Sequence, residues 1–308
     1  MLNFAGIVLV AVAAGGAFGL RLALGKMMST GGPPPGAIHK TARSRDGALI
    51  AYEQTGAGPV VILVSAALAD RDGARPLARR LASSFTVINY DRRGRGESSD
   101  AAPYAVEREV EDLEALCGAA GEPVFLFGSS SGAVLALDAG SRLGARVRKL
   151  FLYEPPFIVD ASHAPTPDSL AHEIGAAAAA NDRDRAVALF FQKGMGIPAV
   201  GVTFMRLFLP AWRDMARIAH TAPYDLKILA GTQSGRPLPI DRWSRTTPAA
   251  MAAVGAKSEE FFHNGAKALA HTLPTAEYRP LDGLDHSAVL MAPDALAGAI
   301  RRYFTPDR

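Results

Sequence analysis

Four apolar runs constrain this chain more than any other feature: residues 59–64 (PVVILV), 85–90 (FTVINY), 123–127 (PVFLF) and 147–153 (VRKLFLY). Each is short, rich in β-branched or aromatic residues and nearly unbroken. A strand with one wet face alternates apolar and polar residues, so unbroken runs read as strands buried on both faces of a parallel sheet. Helical patterns lie between them. Val106, Val110, Leu113 and Cys117 form one apolar stripe, and Arg71, Arg75 and Arg79 are expected on the solvated side of another helix. Two weaker strands, 249–254 and 276–281, follow, and Leu296, Ile300 and Phe304 give a closing helix its inward face. The expected fold class is α/β, a mostly parallel central sheet covered by helices on both faces.

Two segments depart from this alternation. Residues 158–247 read as mainly helical and Ala-rich, broken by Pro165, Pro167, Pro198, Pro210 and Pro223. They are expected to form a helical lid inserted in a single domain spanning 37–308. Residues 1–36 form a leader. Its first 20 residues carry no charged side chain, about the minimum for a membrane span. Arg21 and Lys26 follow, then a Gly/Pro linker at 31–36. If the segment is an anchor, a positive flank on that side would keep the rest of the chain cytoplasmic by the positive-inside tendency. Three readings stay open: an N-terminal membrane anchor, translation starting at Met27 or Met28 with a purely cytoplasmic product, or a cleaved signal.

Composition narrows the function classes. Hydrophobic residues at 49% and charged residues at 20% rule out disorder for most of the chain. The single cysteine, Cys117, excludes an internal disulfide framework and a multi-thiolate zinc site. A net charge of +3 spread along the chain gives no nucleic-acid stripe. With no HExxH and no GxGxxG after a strand, neither a metal nor a cofactor is expected.

The chemistry gathers after the third run. Gly128-Ser129-Ser130-Ser131-Gly132 joins PVFLF to the apolar helix start AVLALDAG, which is G-x-S-x-G between a strand and a helix. A sharp turn there needs small residues two places either side of its apex, where two backbones nearly touch. It lifts the Ser130 hydroxyl above the sheet as a nucleophile and aims the Ser131 N–H, at the helix N-terminus, where an oxyanion would form. A phosphate loop would need a lysine after the second glycine, and none follows. Cys117 lies in the helix before this strand and reads as a small packed apolar residue.

After FTVINY the chain continues Asp91-Arg92-Arg93-Gly94-Arg95-Gly96-Glu97-Ser98. Together with the G-x-S-x-G turn, this resembles the α/β-hydrolase superfamily, whose members carry a YDxRGxGxS turn after the fourth strand. The resemblance runs from about residue 37 to the C-terminus. It implies that residues 91–98 are architectural and that a base follows the nucleophile in chain order. Of the seven histidines, His39 precedes the first strands, His163, His172 and His220 fall in the lid, and His263 and His271 read as surface or packing residues. His286 alone lies in a loop after the last strand, which is where the family places its base.

The acid departs from the common pattern. Most members carry it after the strand at 249–254, where this chain has Ser258 at the expected position, with a bland alternative role as a helix N-cap. Some members carry it one strand earlier, and that position is Glu154, a carboxylate at the end of an apolar strand that needs a partner such as His286 Nδ1. Glu154 is the favoured acid and Glu259 the alternative. The resemblance also implies an oxyanion donor after PVVILV. Ser65-Ala66 replaces the usual His-Gly there, leaving the Ala67 N–H as the candidate.

An Asp nucleophile, as in epoxide hydrolases and haloalkane dehalogenases of this superfamily, does not fit Ser130. Two function classes remain. One is a serine hydrolase cleaving a small hydrophobic ester through an acyl-enzyme, with Phe190, Phe191, Phe204, Met205, Phe208 and Trp212 of the lid supplying an apolar pocket. The other is a non-catalytic ligand binder, suggested by the missing acid at 258. Lactonase, C–C hydrolase and cofactor-free perhydrolase chemistry would use the same residues.

Overall fold

All four unbroken runs are strands in the computed structural model, which describes residues 30–305. In chain order the elements are β1 (Ile38–Arg43), β2 (Leu49–Thr55), β3 (Val60–Val64), α1 (Arg71–Leu81), β4 (Thr86–Tyr90), α2 (Val106–Ala120), β5 (Val124–Ser129), α3 (Ser131–Leu143) and β6 (Val147–Tyr153). An insertion follows with α4 (Leu170–Ala179), α5 (Arg183–Leu189), α6 (Ala199–Phe208), α7 (Trp212–Arg217) and α8 (Ala222–Ile228). The chain then completes β7 (Ala249–Gly255), α9 (Glu260–Thr272), β8 (Ala276–Leu281), α10 (Ala288–Met291) and α11 (Pro293–Phe304).

The eight strands form one sheet in the order β1-β2-β4-β3-β5-β6-β7-β8. Strand β2 is antiparallel to both neighbours, and every other pair is parallel. Period-two alternation deals each strand's side chains to two cores. Val60, Ile62, Val64, Val124 and Leu126 face α2, α3 and α9, whereas Val61, Leu63, Phe125 and Phe127 face α1 and α11. Each such side chain, taken fully out of water, contributes roughly 1.5–3 kcal/mol. That is why positions 60–64 and 124–127 carry only apolar side chains. The chain leaves β3 for β4 on one side and later returns to β5 on the other, so strand order reverses at β3. In open parallel sheets, the crevice beyond the strand C-termini at such a switch point is the usual ligand site.

The insertion has its own small core, in which Leu170, Ile174, Val187 and Trp212 pack around Leu68 of the loop after β3. Its base is closed by an isolated bridge between Ile158 and Gln233. Arg242 then pins its return to α3 through a two-point ion pair with Asp138, at 2.9 and 2.7 Å.

One expectation is overturned. Arg71 and Arg75 are buried, not solvated, at 5% and 8% exposure. Arg71 meets Glu53 at 3.3 Å, Asp91 at 3.1 Å and Glu97 at 2.6 Å, while Arg75 pairs with Glu53 and Asp72. Fourfold spacing places these residues on one helix face, but only the partners on β2 and after β4 make that face an interior one. Arg79 instead donates to the carbonyls of Thr30 and Gly32, fixing the linker. The suggested membrane anchor and the alternative starts at Met27 and Met28 lie outside the described residues. No helix among the described residues is long and apolar enough to cross a membrane.

Candidate active site

Ser130 sits between β5 and α3 at φ +53° and ψ −126°, a conformation that non-glycine residues rarely adopt. Tight packing on both sides holds it there. A Cβ at Gly128 would lie 2.3 Å from the Gly132 carbonyl oxygen, and one at Gly132 would lie 2.4 Å from that of Val64 and 2.6 Å from that of Ser65. All three are backbone atoms and cannot swing aside. Gly132→Ala is therefore expected to destabilise the fold by about 3 kcal/mol or more, lowering Tm by at least about 6 °C in a thermal melt. An unchanged Tm would contradict this packing.

The neighbouring strand ends in the same manner. Glu154 follows β6 at φ +51° and is fully buried. Its Oε1 accepts from the Gly255 N–H at 2.7 Å and the Ser258 hydroxyl at 2.5 Å, and its Oε2 lies 2.6 Å from His286 Nδ1. Ser258 thus serves this carboxylate and caps no helix, for the N-cap of α9 is Glu259. His286 lies in the loop after β8. Its ring stacks on Phe262 with centroids 4.7 Å apart, and the Tyr153 hydroxyl donates to the adjacent Asp285 carbonyl at 2.6 Å. With Nδ1 engaged by Glu154, His286 lines a cavity that Ser130 also lines. Ser130 Oγ forms no hydrogen bond among the described residues. Such bonds are commonly long in unliganded sites and tighten when substrate binds.

Glu259 lines the same cavity, but among the described residues its carboxylate accepts no hydrogen bond; only its backbone carbonyl does, from the Phe262 N–H at 3.1 Å. Ala67, from the loop after β3, and Ser131, at the start of α3, line the same cavity as Ser130. Ser131 is the first residue of its helix, so its N–H has no intrahelical acceptor. The cavity measures about 690 Å³ and runs between the sheet end and the insertion. Phe190, Phe191, Met215 and Leu226 line it from above, and Leu63, Phe127 and Val289 from the sheet side. Of the other lid residues named from the sequence, Phe204 and Phe208 stack on each other, Trp212 is buried against Phe191 with its indole N–H on Asp184, and Met205 packs in the insertion's core. None of these four lines the cavity.

Sequence reasoning missed Asp225 of α8. It is fully buried and accepts from Arg92 at 2.6 Å, Arg95 at 2.6 Å and the Ser131 hydroxyl at 2.7 Å. Burial pushes its carboxyl up, but the two guanidinium charges outweigh burial and hold it below the usual range. Three arginines in one tight turn were the available signal, since buried charges require partners. Burial also pushes the Cys117 thiol up to about 12, leaving it no thiolate character. Among the described residues, no group of three His, Cys, Asp or Glu is placed to hold a metal ion.

The family model described as "Alpha/beta hydrolase family" matches residues 56–299. The chain belongs to the alpha/beta hydrolase family. An alpha/beta hydrolase from Sphaerobacter thermophilus DSM 20745 is 42% identical to it, with a TM-score of 0.79 over 86% of this chain and 100% of that one. The uncharacterized hydrolase YraK of Bacillus subtilis (strain 168) is 38% identical over 113 residues, an alignment covering 35% of this chain and 42% of that protein. The chain thus aligns with less than half the length of that relative. A thermophilic esterase from Thermogutta terrifontis shares the alpha/beta hydrolase architecture at 22% identity and a TM-score of 0.60, covering 87% of this chain and 98% of its own.

Proposed function

We propose that this alpha/beta hydrolase is a serine hydrolase acting on uncharged, apolar acyl esters, with Ser130 as nucleophile, His286 as base and Glu154 as the acid that orients it. The observation that carries the reading is the 2.6 Å contact of His286 Nδ1 with a fully buried Glu154, at the same sheet end as a serine on a strained turn. Glu154 Oε2 holds the imidazole with its proton on Nδ1, which frees Nε2 to accept the Ser130 proton. Ser130 Oγ then attacks the acyl carbonyl, and the oxyanion accepts from the N–H groups of Ser131 and Ala67. Collapse expels the alcohol, which takes its proton from His286. Water, deprotonated by His286, hydrolyses the acyl-enzyme and restores the serine.

The case for a binder rested on Ser258 at the usual acid position. Glu154 answers it from the adjacent strand, with Ser258 as one of its hydrogen-bond donors. Substrate class follows from the cavity. Its charged lining residues Asp214, Arg217 and Glu259 are exposed, while Leu63, Phe127, Phe190, Phe191, Leu226 and Val289 give it apolar walls. The insertion roofs this cavity and is read as its lid.

Labelling by a fluorophosphonate probe tests the proposal. The full chain is expected to incorporate one probe, on Ser130, and the Ser130→Ala variant none. Labelling that persists in that variant, or is absent from the parent, rejects Ser130 as nucleophile.

A further inference from the structure

Both oxyanion donors of the proposed hydrolase are held from behind by one buried ionic cluster, and the centre of that cluster belongs to the insertion. The loop after β3 lacks the glycine usual in the family, and Leu68 within it takes φ +54°. Its carbonyls are gripped from outside the loop. Arg92 Nη1 donates to the Ser65 carbonyl at 3.2 Å, and Arg95 Nη1 donates to those of Ala66 at 2.7 Å and Ala69 at 2.9 Å. The Ala66 carbonyl shares its peptide unit with the Ala67 N–H, so that bond fixes the donor's plane, and the bonds to Ser65 and Ala69 hold the loop on either side. Each arginine in turn donates to one oxygen of Asp225, and the oxygen shared with Arg92 also accepts from the Ser131 hydroxyl.

We propose that Asp225 is a positioning residue that sets the oxyanion hole from the helical insertion, holding Ser131 directly and Ala67 through Arg92 and Arg95. This rests on the serine-hydrolase reading above. The cluster is electrically balanced, since Glu109 takes the remaining guanidinium donors of Arg92 at 2.7 Å. Asp225 is the carboxylate common to both arginines, and it reaches them from α8. The contact that seats Asp225 on the two arginines is therefore also the one that holds the oxyanion hole. A lid that only covered substrate would need no such contact, and the other ion pair that ties the insertion to α3, Arg242 with Asp138, touches neither the Ser65–Ala69 carbonyls nor Ser131.

That second pair provides the control. In the full chain, with p-nitrophenyl butyrate as substrate, Asp225→Asn is expected to lower kcat by about 10²-fold, the usual effect of losing an oxyanion donor, with KM changed by less than about twofold. The inhibition constant of a trifluoromethyl ketone, which forms a tetrahedral oxyanion on Ser130, should rise by the same factor as kcat/KM falls. Ser131→Ala removes only one link and is expected to cost about tenfold in kcat at a nearly parental Tm. Arg242→Gln should lower Tm while leaving kcat and the inhibition constant unchanged. The proposal is overturned if Asp225→Asn weakens kcat no more than Arg242→Gln does, or if KM rises while kcat holds. Should Asp225→Asn fail to fold, Ser131→Ala decides, and unchanged kcat and inhibitor affinity in it overturn the proposal. A kcat in Ser130→Ala within tenfold of the parent would instead remove the underlying reading, which is a separate result.

Discussion

Ser130→Ala is expected to lower kcat toward an activated ester by about 10⁶-fold, to the level that binding and oxyanion stabilisation sustain alone. That floor lies about 10³–10⁴-fold above water, so the variant should still outpace buffer while forming no acyl-enzyme burst. The backbone supplies a second readout. Alanine keeps a Cβ at φ +53° and ψ −126°, and so keeps the strain of that conformation, whereas glycine releases it. Strain there amounts to about 1–3 kcal/mol, and glycine forfeits about 0.5–1 kcal/mol of that through the freedom of its unfolded chain. Ser130→Gly should therefore melt about 2–4 °C above Ser130→Ala, the shift produced by roughly 1 kcal/mol in a domain of this size. A kcat within tenfold of the parent in either variant would sink the nucleophile assignment.

Glu154→Gln should lower kcat by about 10⁴-fold with little change in KM, and the cause is a tautomer. Glu154 Oε1 faces two donors, the Gly255 N–H at 2.7 Å and the Ser258 hydroxyl at 2.5 Å. The Gly255 N–H cannot reverse its role, so a glutamine must keep its carbonyl oxygen on that side. Its amide group then faces His286 Nδ1 and requires a lone pair there. The ring proton moves to Nε2, and the imidazole can no longer accept the Ser130 proton. Glu259→Gln is expected to leave kcat within about twofold, because its carboxylate contacts nothing in the site and rim charges contribute little. Steady-state kinetics on the two variants decide between the acids, and a large loss in Glu259→Gln beside a small one in Glu154→Gln would reverse the assignment.

How much of this was legible in the sequence depended on how far each residue reaches. The strands were legible because burial on both faces is written into every residue of PVVILV and PVFLF. Ser130 was legible because the constraint on its turn is local, with both glycines within two residues. Glu154 was half legible: a carboxylate ending an apolar strand announces a partner without naming it, and His286 lies 132 positions away. Arg71 and Arg75 misled, because helical spacing reports which residues share a face and not what that face meets. Asp225 was invisible, since nothing in the surrounding Tyr224-Asp225-Leu226 marks a residue that neutralises arginines more than 100 positions upstream. Local patterns yield strands and turns, whereas buried charge is a property of the assembled fold.

The contact between Ser258 and Glu154 bears on how such sites diverge. The two side chains arrive from adjacent strand ends with their oxygens 2.5 Å apart. A carboxylate grown from position 258 would occupy the ground now held by Glu154 Oε1, within reach of the same imidazole. Two carboxylates at these positions would sit close enough to share a single proton. On the proposed triad, neither the turn at Ser130 nor the loop at His286 would have to be rebuilt for the acid to sit on either strand.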